Sequence, residues 1–282
     1  MPVAGKLEIL YYTPYFRETL KDAIGFAPEV AEDLCVVTLD HARFSHADAV
    51  LFHLPNMAMD SIPPVKPPGQ IWIGMSMESD ANYPLQCDPV FMRHFDVRMN
   101  FRRDCDVPLL YFDSNLIAQL QNYPTEKKQR GRAAYFASND FALNNRFEWA
   151  AELMEHMPID SYGKSQNNCQ LKFTDSGRMT KLETIREYDF YLAFENSNCI
   201  DYVSEKMFDG LISGTVPVYL GAPNVDDYLP GNNCIIKATD FANGADLAKF
   251  LLEVSADRQR YSDYLKWKNE PLRPDFLTLV YE

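Results

Sequence analysis

Short apolar runs rich in β-branched and aromatic residues recur along the chain, and segments with helical periodicity fall between many of them. Strands that stay apolar almost without a break are covered on both faces, so this alternation predicts α/β units built on parallel sheets. In the first half, strands are expected at 7–12, 36–39, 49–54 and 70–77. Between the last two, residues 61–69 carry Pro63, Pro64, Pro67 and Pro68, which remove donors and fix φ, so this stretch is a loop. Periodicity stops and charge rises across 122–132, the expected inter-domain linker. The pattern then restarts with a strand at 133–137 and a helix at 144–157, whose Phe147, Ala150, Ala151, Met154 and Met157 share one face before Pro158 stops it. A helix at 180–187, strands at 190–194, 216–220 and 234–236, and helical segments at 203–212, 245–254 and 258–268 complete the pattern.

These elements group into two α/β domains, each Rossmann-like: 1–124 and 132–265, with 266–282 as a C-terminal segment that packs back on the first domain. Two such domains facing across a cleft place the carboxyl ends of both sheets, where open α/β sheets bind ligands, against a shared guest. A length of 282 residues suits that division.

Composition narrows the function. Hydrophobic residues at 46% and charged residues at 24% describe an ordinary globular protein. A net charge of −13 speaks against nucleic acid as a partner, because phosphate backbones repel an acidic surface. The one compact basic run, 126–132, is taken as a solvated linker. The six cysteines are dispersed and lack zinc-ligand spacing, and free thiols in a reducing compartment are expected. No stretch approaches the roughly 18 consecutive apolar residues of a spanning helix, and no signal-peptide pattern opens the chain. His53 and His94 are assigned no role.

The segment 188–230 carries the chemistry. A strand with Phe190, Leu192 and Phe194 ends in Glu195, Asn196, Ser197 and Asn198. A helix follows with Val203, Met207 and Leu211 as its buried stripe, and Gly214 is placed to end it. Ser204, Glu205 and Lys206 fall in its first turn, where free backbone N–H groups and an ammonium favour an anion, and a diphosphate is the natural guest. On periodicity alone the same block also fits one more strand–helix–strand unit with solvated Glu and Lys. Arg146 fits an ordinary surface residue, and Glu78 an exposed loop carboxylate.

Phe194-Glu195-Asn196-Ser197, then Tyr202-Val203-Ser204-Glu205-Lys206, then Gly214-Thr215-Val216-Pro217-Val218 closing on Gly221 resembles the donor-binding block of the α-1,3/1,4-fucosyltransferases, glycosyltransferase family 10. Tyr135-Phe136-Ala137-Ser138-Asn139 followed by Arg146, and Met77-Glu78-Ser79, resemble two further segments of that family. The element around Asp104-Cys105-Asp106 is similar too, though Cys105 and Asp80 depart from the usual residues. Asp104-x-Asp106 also matches a metal-binding pattern of other glycosyltransferases, but the resemblance assigns it to structure.

The resemblance implies a GT-B fold and an inverting α-1,3-fucosyltransferase that uses GDP-β-L-fucose as donor. Its acceptor would be a hydroxyl, O3 in the first instance, of a GlcNAc- or N-acetyllactosamine-type glycan, a role in protein glycosylation and carbohydrate biosynthesis. Glu78 is then the base. Arg146 and Lys206 hold the diphosphate, Glu205 sits by the fucose, and Ser138, Asn196 and Tyr202 line the donor site. Glu195 contacts the ribose or supports the site from behind. No cofactor or metal is required. Related readings keep the fold and change the GDP-linked sugar, or make the chain a non-catalytic carbohydrate- or nucleotide-binding protein. A cytoplasmic, bacterial-type enzyme is expected, with a Golgi catalytic domain whose anchor is absent from this chain as the alternative, and peripheral membrane association is left open.

Overall fold

The apolar runs of the sequence become two parallel sheets in the computed structural model, which describes residues 5–14, 16, 34–112, 115–121, 127–172 and 174–281. The chain divides into two compact units, Met1–Leu109 and Leu110–Glu282.

In the first unit the strands are β1 (Leu7–Tyr11), β2 (Cys35–Thr38), β3 (Ala49–His53), β4 (Ile71–Ser76), β5 (Val97–Asn100) and β6 (Val107–Pro108). They lie in the order β2-β1-β3-β4-β5-β6, every neighbouring pair parallel. Leu10, Val50, Phe52, Trp72, Phe91 and Phe95 form its core, Phe91 coming from the short helix α1 (Pro89–Met92). The four expected strands are present within a residue or two. β5 and β6 were not foreseen, because β5 carries Arg98 and Asn100 and β6 is only two residues long, so neither has an apolar run of its own.

In the second unit β7 (Gln129–Tyr135), β8 (Ile159–Ser161), β9 (Tyr188–Phe194), β10 (Val216–Leu220) and β11 (Ile236–Lys237) pair in the order β11-β10-β9-β7-β8, again all parallel. All seven residues of β9 are buried, as expected for a central strand covered on both faces. One face packs on α2 (Asn115–Leu120), α4 (Arg178–Arg186), α5 (Glu205–Ile212) and α8 (Pro274–Tyr281) through residues such as Leu116, Ile185, Phe208 and Phe276. The other packs on α3 (Arg146–His156), α6 (Gly244–Ala256) and α7 (Arg258–Asp263) through Ala150, Leu153, Leu247, Leu251 and Tyr261. Strand order reverses between β7 and β9, because β8 lies on one side of β7 and every later strand on the other.

Several expectations are corrected. The boundary between units falls at Leu109/Leu110, ahead of the expected linker, so α2 belongs to the second core. The C-terminal helix α8 also lies in the second unit, where Phe276 meets Phe112 at 6.1 Å. Residues 122–126 lie outside the described residues. The remainder of the basic run is not a solvated linker: Gln129 already pairs with Tyr188, and Lys127 is only 5% exposed. Its ammonium donates to the Arg186 carbonyl at 2.8 Å and to Thr215 Oγ1 at 3.0 Å. The expected helix at 203–212 starts at Glu205 because Ser204 caps it, and Gly214 follows its end with φ +63°. Of the expected apolar face of α3, Ala150 and Met157 are buried and Phe147 and Met154 pack against the same core, but Ala151 is exposed, and Arg146 and Leu153 join the buried side. The expected helix at 258–268 is α7 followed by a 3-10 turn, Lys266–Asn269.

Candidate active site

A ligand of an open α/β sheet binds outside the carboxyl ends of the strands where their order reverses, which in the second unit is the exit from β7 and β9. The loops leaving these two strands are stitched together. Leu143 N–H donates to the Asn196 carbonyl at 2.9 Å, and Asn144 Nδ2 donates to the Glu195 carbonyl at 3.0 Å and to Asn198 Oδ1 at 2.9 Å.

On the β7 side, Ser138 is exposed three residues beyond the strand. The side chain of Asn139 accepts from Phe141 N–H at 2.9 Å, and its carbonyl accepts from Arg146 Nη2 at 2.5 Å. Arg146 opens α3 and begins its inward stripe, so it is 2% exposed and its Nε is buried without a partner. Asn145, at the cap position, makes no side-chain bond to the helix. Uncapped N–H groups beside a buried guanidinium make this helix start a strong anion site. Tyr135, the last residue of β7, has a buried hydroxyl with no partner. Burial pushes its phenol up to about 12, against the pull of Arg146 and Lys206.

On the β9 side, Glu195 is fully buried. Its Oε1 accepts from Ser204 N–H at 2.8 Å, the Ser204 hydroxyl lies 2.9 and 2.7 Å from its two oxygens, and Lys206 Nζ is 3.3 Å from Oε2. Burial raises its carboxyl above the ordinary range, although Lys206 pulls the other way. Lys206 Nζ also donates to Ser204 Oγ at 3.0 Å and to Glu205 Oε1 at 3.4 Å. Burial disfavours this ammonium, but Glu195 and Glu205 together hold its pKa above the usual value. For Glu205, burial is outweighed by Lys206 and Lys181, so its carboxyl stays low and charged. Asn196 is 8% exposed, with a buried, unpartnered side-chain oxygen, and Asn144 Oδ1 is in the same condition. Buried polar atoms are normally paired, and this grouping of four orphans is the mark of a place that a polar guest completes.

Tyr202, 3% exposed, crosses the Tyr111 ring edge-on at 5.9 Å. It follows Asp201, which holds φ +66°, a conformation that a non-glycine residue keeps only when its surroundings impose it. Asn224 imposes it by accepting from Asp201 N–H at 2.9 Å and donating to Asp201 Oδ1 at 2.8 Å, while Tyr228 donates to the same oxygen at 2.9 Å.

The second unit thus brings together Arg146, Glu195, Asn196, Tyr202, Glu205 and Lys206, with Ser138 on the exposed loop. Tyr135, Asn144, Asp201 and Asn224 were missed as candidates, while Ser204, expected in the anion-binding first turn, caps α5 and turns its hydroxyl to Glu195. For Arg146's burial the signal was the i, i+4, i+7, i+11 spacing with Ala150, Leu153 and Met157. Glu195, expected at the ribose or behind the site, has no exposed surface for a ribose contact.

In the first unit, Glu78 lies two residues beyond β4. Its N–H donates to Ser76 Oγ at 3.1 Å, and its carbonyl accepts from Gln86 Nε2 at 2.8 Å. The Tyr83 phenol is raised by burial and by the nearby Glu78 carboxylate. His53 is fully buried, Nδ1 at 2.7 Å from Asn56 Oδ1, and burial keeps it below the usual imidazole range. Asp104 pairs with Arg102 at 2.8 Å, and Asp106 accepts from the Arg98 N–H at 2.7 Å. Among the described residues, no group of three or more His, Cys, Asp or Glu side chains is disposed around a metal. No helix there is long and apolar enough to cross a membrane.

Residues 125–277 match the model of the glycosyltransferase family 10 (fucosyltransferase) C-terminal domain, and residues 4–112 that of the fucosyltransferase N-terminal domain. The chain belongs to glycosyltransferase family 10. Among relatives of this family 10 chain, the GDP-fucose protein O-fucosyltransferase 3 of Gallus gallus is 31% identical, over 97% of this chain and 60% of that protein. The alpha-(1,3)-fucosyltransferase B of Drosophila melanogaster is 29% identical, over 83% and 56%. A human 4-galactosyl-N-acetylglucosaminide 3-alpha-L-fucosyltransferase is 32% identical, over 85% and 64%. The chain thus spans well under two thirds of the length of the first two. A crystal structure of an α1,3-fucosyltransferase with GDP-fucose superimposes with a TM-score of 0.65 at 17% identity, covering 92% of this chain and 81% of that one, and so shares the fold.

Proposed function

We propose that this family 10 chain transfers L-fucose from GDP-β-L-fucose, with inversion, to O3 of a GlcNAc-containing glycan. The observation that carries the reading is the placing of Arg146, with its unpartnered Nε, and Lys206 at the starts of the helices that follow β7 and β9, whose exit loops Asn144 joins at the strand-order reversal of the second unit.

The reaction needs a base for the acceptor proton, stabilisation of a developing oxocarbenium-like sugar, and neutralisation of the departing diphosphate. As the acceptor oxygen bonds to C1 of fucose, its proton passes to Glu78, a step for which general-base help is typically worth about 10²- to 10⁴-fold. The bond from C1 to the phosphate oxygen breaks, and its electron pair leaves with GDP. Arg146, Lys206 and the N-terminal N–H groups of α3 meet that charge, the work a divalent ion does elsewhere, so no metal is required. Glu205, kept ionised by Lys206 and Lys181, faces the positive sugar, and Ser138, Asn196 and Tyr202 line the donor.

A second acceptor reading rests on the relatives named GDP-fucose protein O-fucosyltransferase 3, one of which aligns with 97% of this chain. In that reading a protein hydroxyl replaces the sugar hydroxyl while the donor half is unchanged. The test is a screen of radiolabelled GDP-fucose, GDP-mannose and UDP-sugars against N-acetyllactosamine, GlcNAc and folded protein-domain acceptors, with and without chelator. Chelator-resistant transfer from GDP-fucose to a GlcNAc-type acceptor is expected. Label on protein alone selects the second acceptor, transfer from another nucleotide sugar changes the donor, and a chelator-abolished reaction removes the assigned role of the two cations. Glu78→Gln is expected to retain GDP binding and lose transfer, which separates an enzyme from a pure binder.

A further inference from the structure

Glu195 is the one carboxylate of the donor site that has no way to reach a ligand. Its N–H is tied to the Leu220 carbonyl at 2.7 Å, its carbonyl to Asn144 at 3.0 Å, and its carboxylate to Ser204 and Lys206 inside the protein. Gly221 backs it so closely that a Cβ there would lie 2.6 Å from Glu195 Cγ. The charged and titratable groups that act on it are Lys206 and Glu205 from α5 and Tyr219 from β10, with Tyr202 and Tyr191 acting on Lys206 and Lys181 of α4 on Glu205. Tyr219 stays a neutral phenol, raised by burial and by Glu195 itself.

Two carboxylates therefore share one ammonium: Lys206 Nζ stands 3.3 Å from Glu195 and 3.4 Å from Glu205. A diphosphate brings further negative charge to that same ammonium. Glu205 is partly exposed and has Lys181 as a second cation, whereas Glu195 is sealed from water and pairs with Lys206 alone among the described ion pairs. When Lys206 turns to phosphate, Glu195 is left as a buried charge without a counter-ion, and the inexpensive response of such a group is to take a proton. Ser204 accommodates this, since its N–H still serves one oxygen and its hydroxyl can accept as readily as donate.

We propose that Glu195 is a positioning residue that aims Lys206 in the empty site and takes up a proton when the donor diphosphate draws that ammonium away, making donor binding proton-coupled. The inference rests on the donor-site reading above. It is tested by calorimetric titration of GDP-fucose, whose diphosphate is esterified at both ends and does not titrate near neutrality, at pH 7.5 in buffers of differing ionisation enthalpy. The wild type is expected to take up about one proton per nucleotide, and its affinity to fall by up to about tenfold per pH unit above neutrality. Glu195→Gln should bind with no uptake, whereas Glu205→Gln should retain it. An absence of uptake in the wild type overturns the proposal, as does uptake that persists in Glu195→Gln. The wild-type proton count and pH profile decide alone if Glu195→Gln does not fold. A Lys206→Ala chain that binds GDP-fucose as tightly as wild type overturns the donor-site reading instead, a result distinct from a null proton count.

Discussion

Gly221→Ala adds one methyl group to a tightly packed point behind Glu195. The new Cβ would lie 2.4 Å from the Tyr219 hydroxyl and 2.6 Å from Glu195 Cγ, about 1 Å inside ordinary contact. Neither neighbour is free to retreat. The Tyr219 hydroxyl accepts from Ala222 N–H at 2.9 Å and donates to the Tyr202 carbonyl at 3.4 Å, and Glu195 is anchored through both its backbone and its carboxylate. Overpacking of this kind costs about 1–3 kcal/mol. At about 2–4 °C per kcal/mol for a protein of this size, the melting temperature should fall by roughly 2–12 °C. Because Glu195 carries Ser204 and Lys206 with it, GDP-fucose affinity should fall by about tenfold, the equivalent of about 1.4 kcal/mol. Thermal unfolding and calorimetric titration measure the two effects. Gly177→Ala is the control: its φ of +77° strains any side chain, but no atom lies within 4 Å of the added carbon. It should lose about 1–2 kcal/mol of stability and no donor affinity. The reasoning is refuted if Gly221→Ala melts with the wild type and binds GDP-fucose as tightly as Gly177→Ala does.

Asn224→Ala removes its two bonds to Asp201 and leaves the Tyr228 bond in place, so stability should drop by about 1–3 kcal/mol, with weaker GDP-fucose binding as Tyr202 and Ser204 lose their placement. Unchanged binding would show that the turn does not position them. Burial pushes Lys127 down to about 7 from 10.5, Asp189 opposing, so the unfolded chain binds more protons between those values and stability rises with pH across that window. The slope from this group is at most about 1.4 kcal/mol per pH unit. Denaturant titrations of Lys127→Met at pH 7 and 9 should show that rise removed, and a pH dependence equal to wild type would contradict it.

Elements that carry their own apolar run were legible in the sequence: β4, β9 and β10 are unbroken enough to stand out before any partner is known. β5, β6 and β8 were not, because Val97–Asn100, Val107–Pro108 and Ile159–Ser161 owe their strand form to the strand they lie beside. The same distinction divides the site. Glu205 and Lys206 could be placed at a helix start from local pattern, and their family resemblance supplied the chemistry. Ionisable residues default to the surface in a sequence reading, so the burial of Lys127, Arg146 and Glu195 was hidden, although Arg146 at the head of its helix stripe left a trace. The restraint of Asp201 by Asn224 and Tyr228 spans more than twenty residues and has no local signature.

The central claim is that Arg146 and Lys206 jointly grip the donor diphosphate, and titration of GDP-fucose into wild type, Arg146→Ala, Lys206→Ala and the double variant tests it most directly. A charge-assisted bond contributes about 1.5–3 kcal/mol, so each single variant should bind about 10- to 150-fold more weakly, and the double variant should lose measurable binding. Wild-type affinity in either single variant, with the fold intact by circular dichroism, would contradict the account.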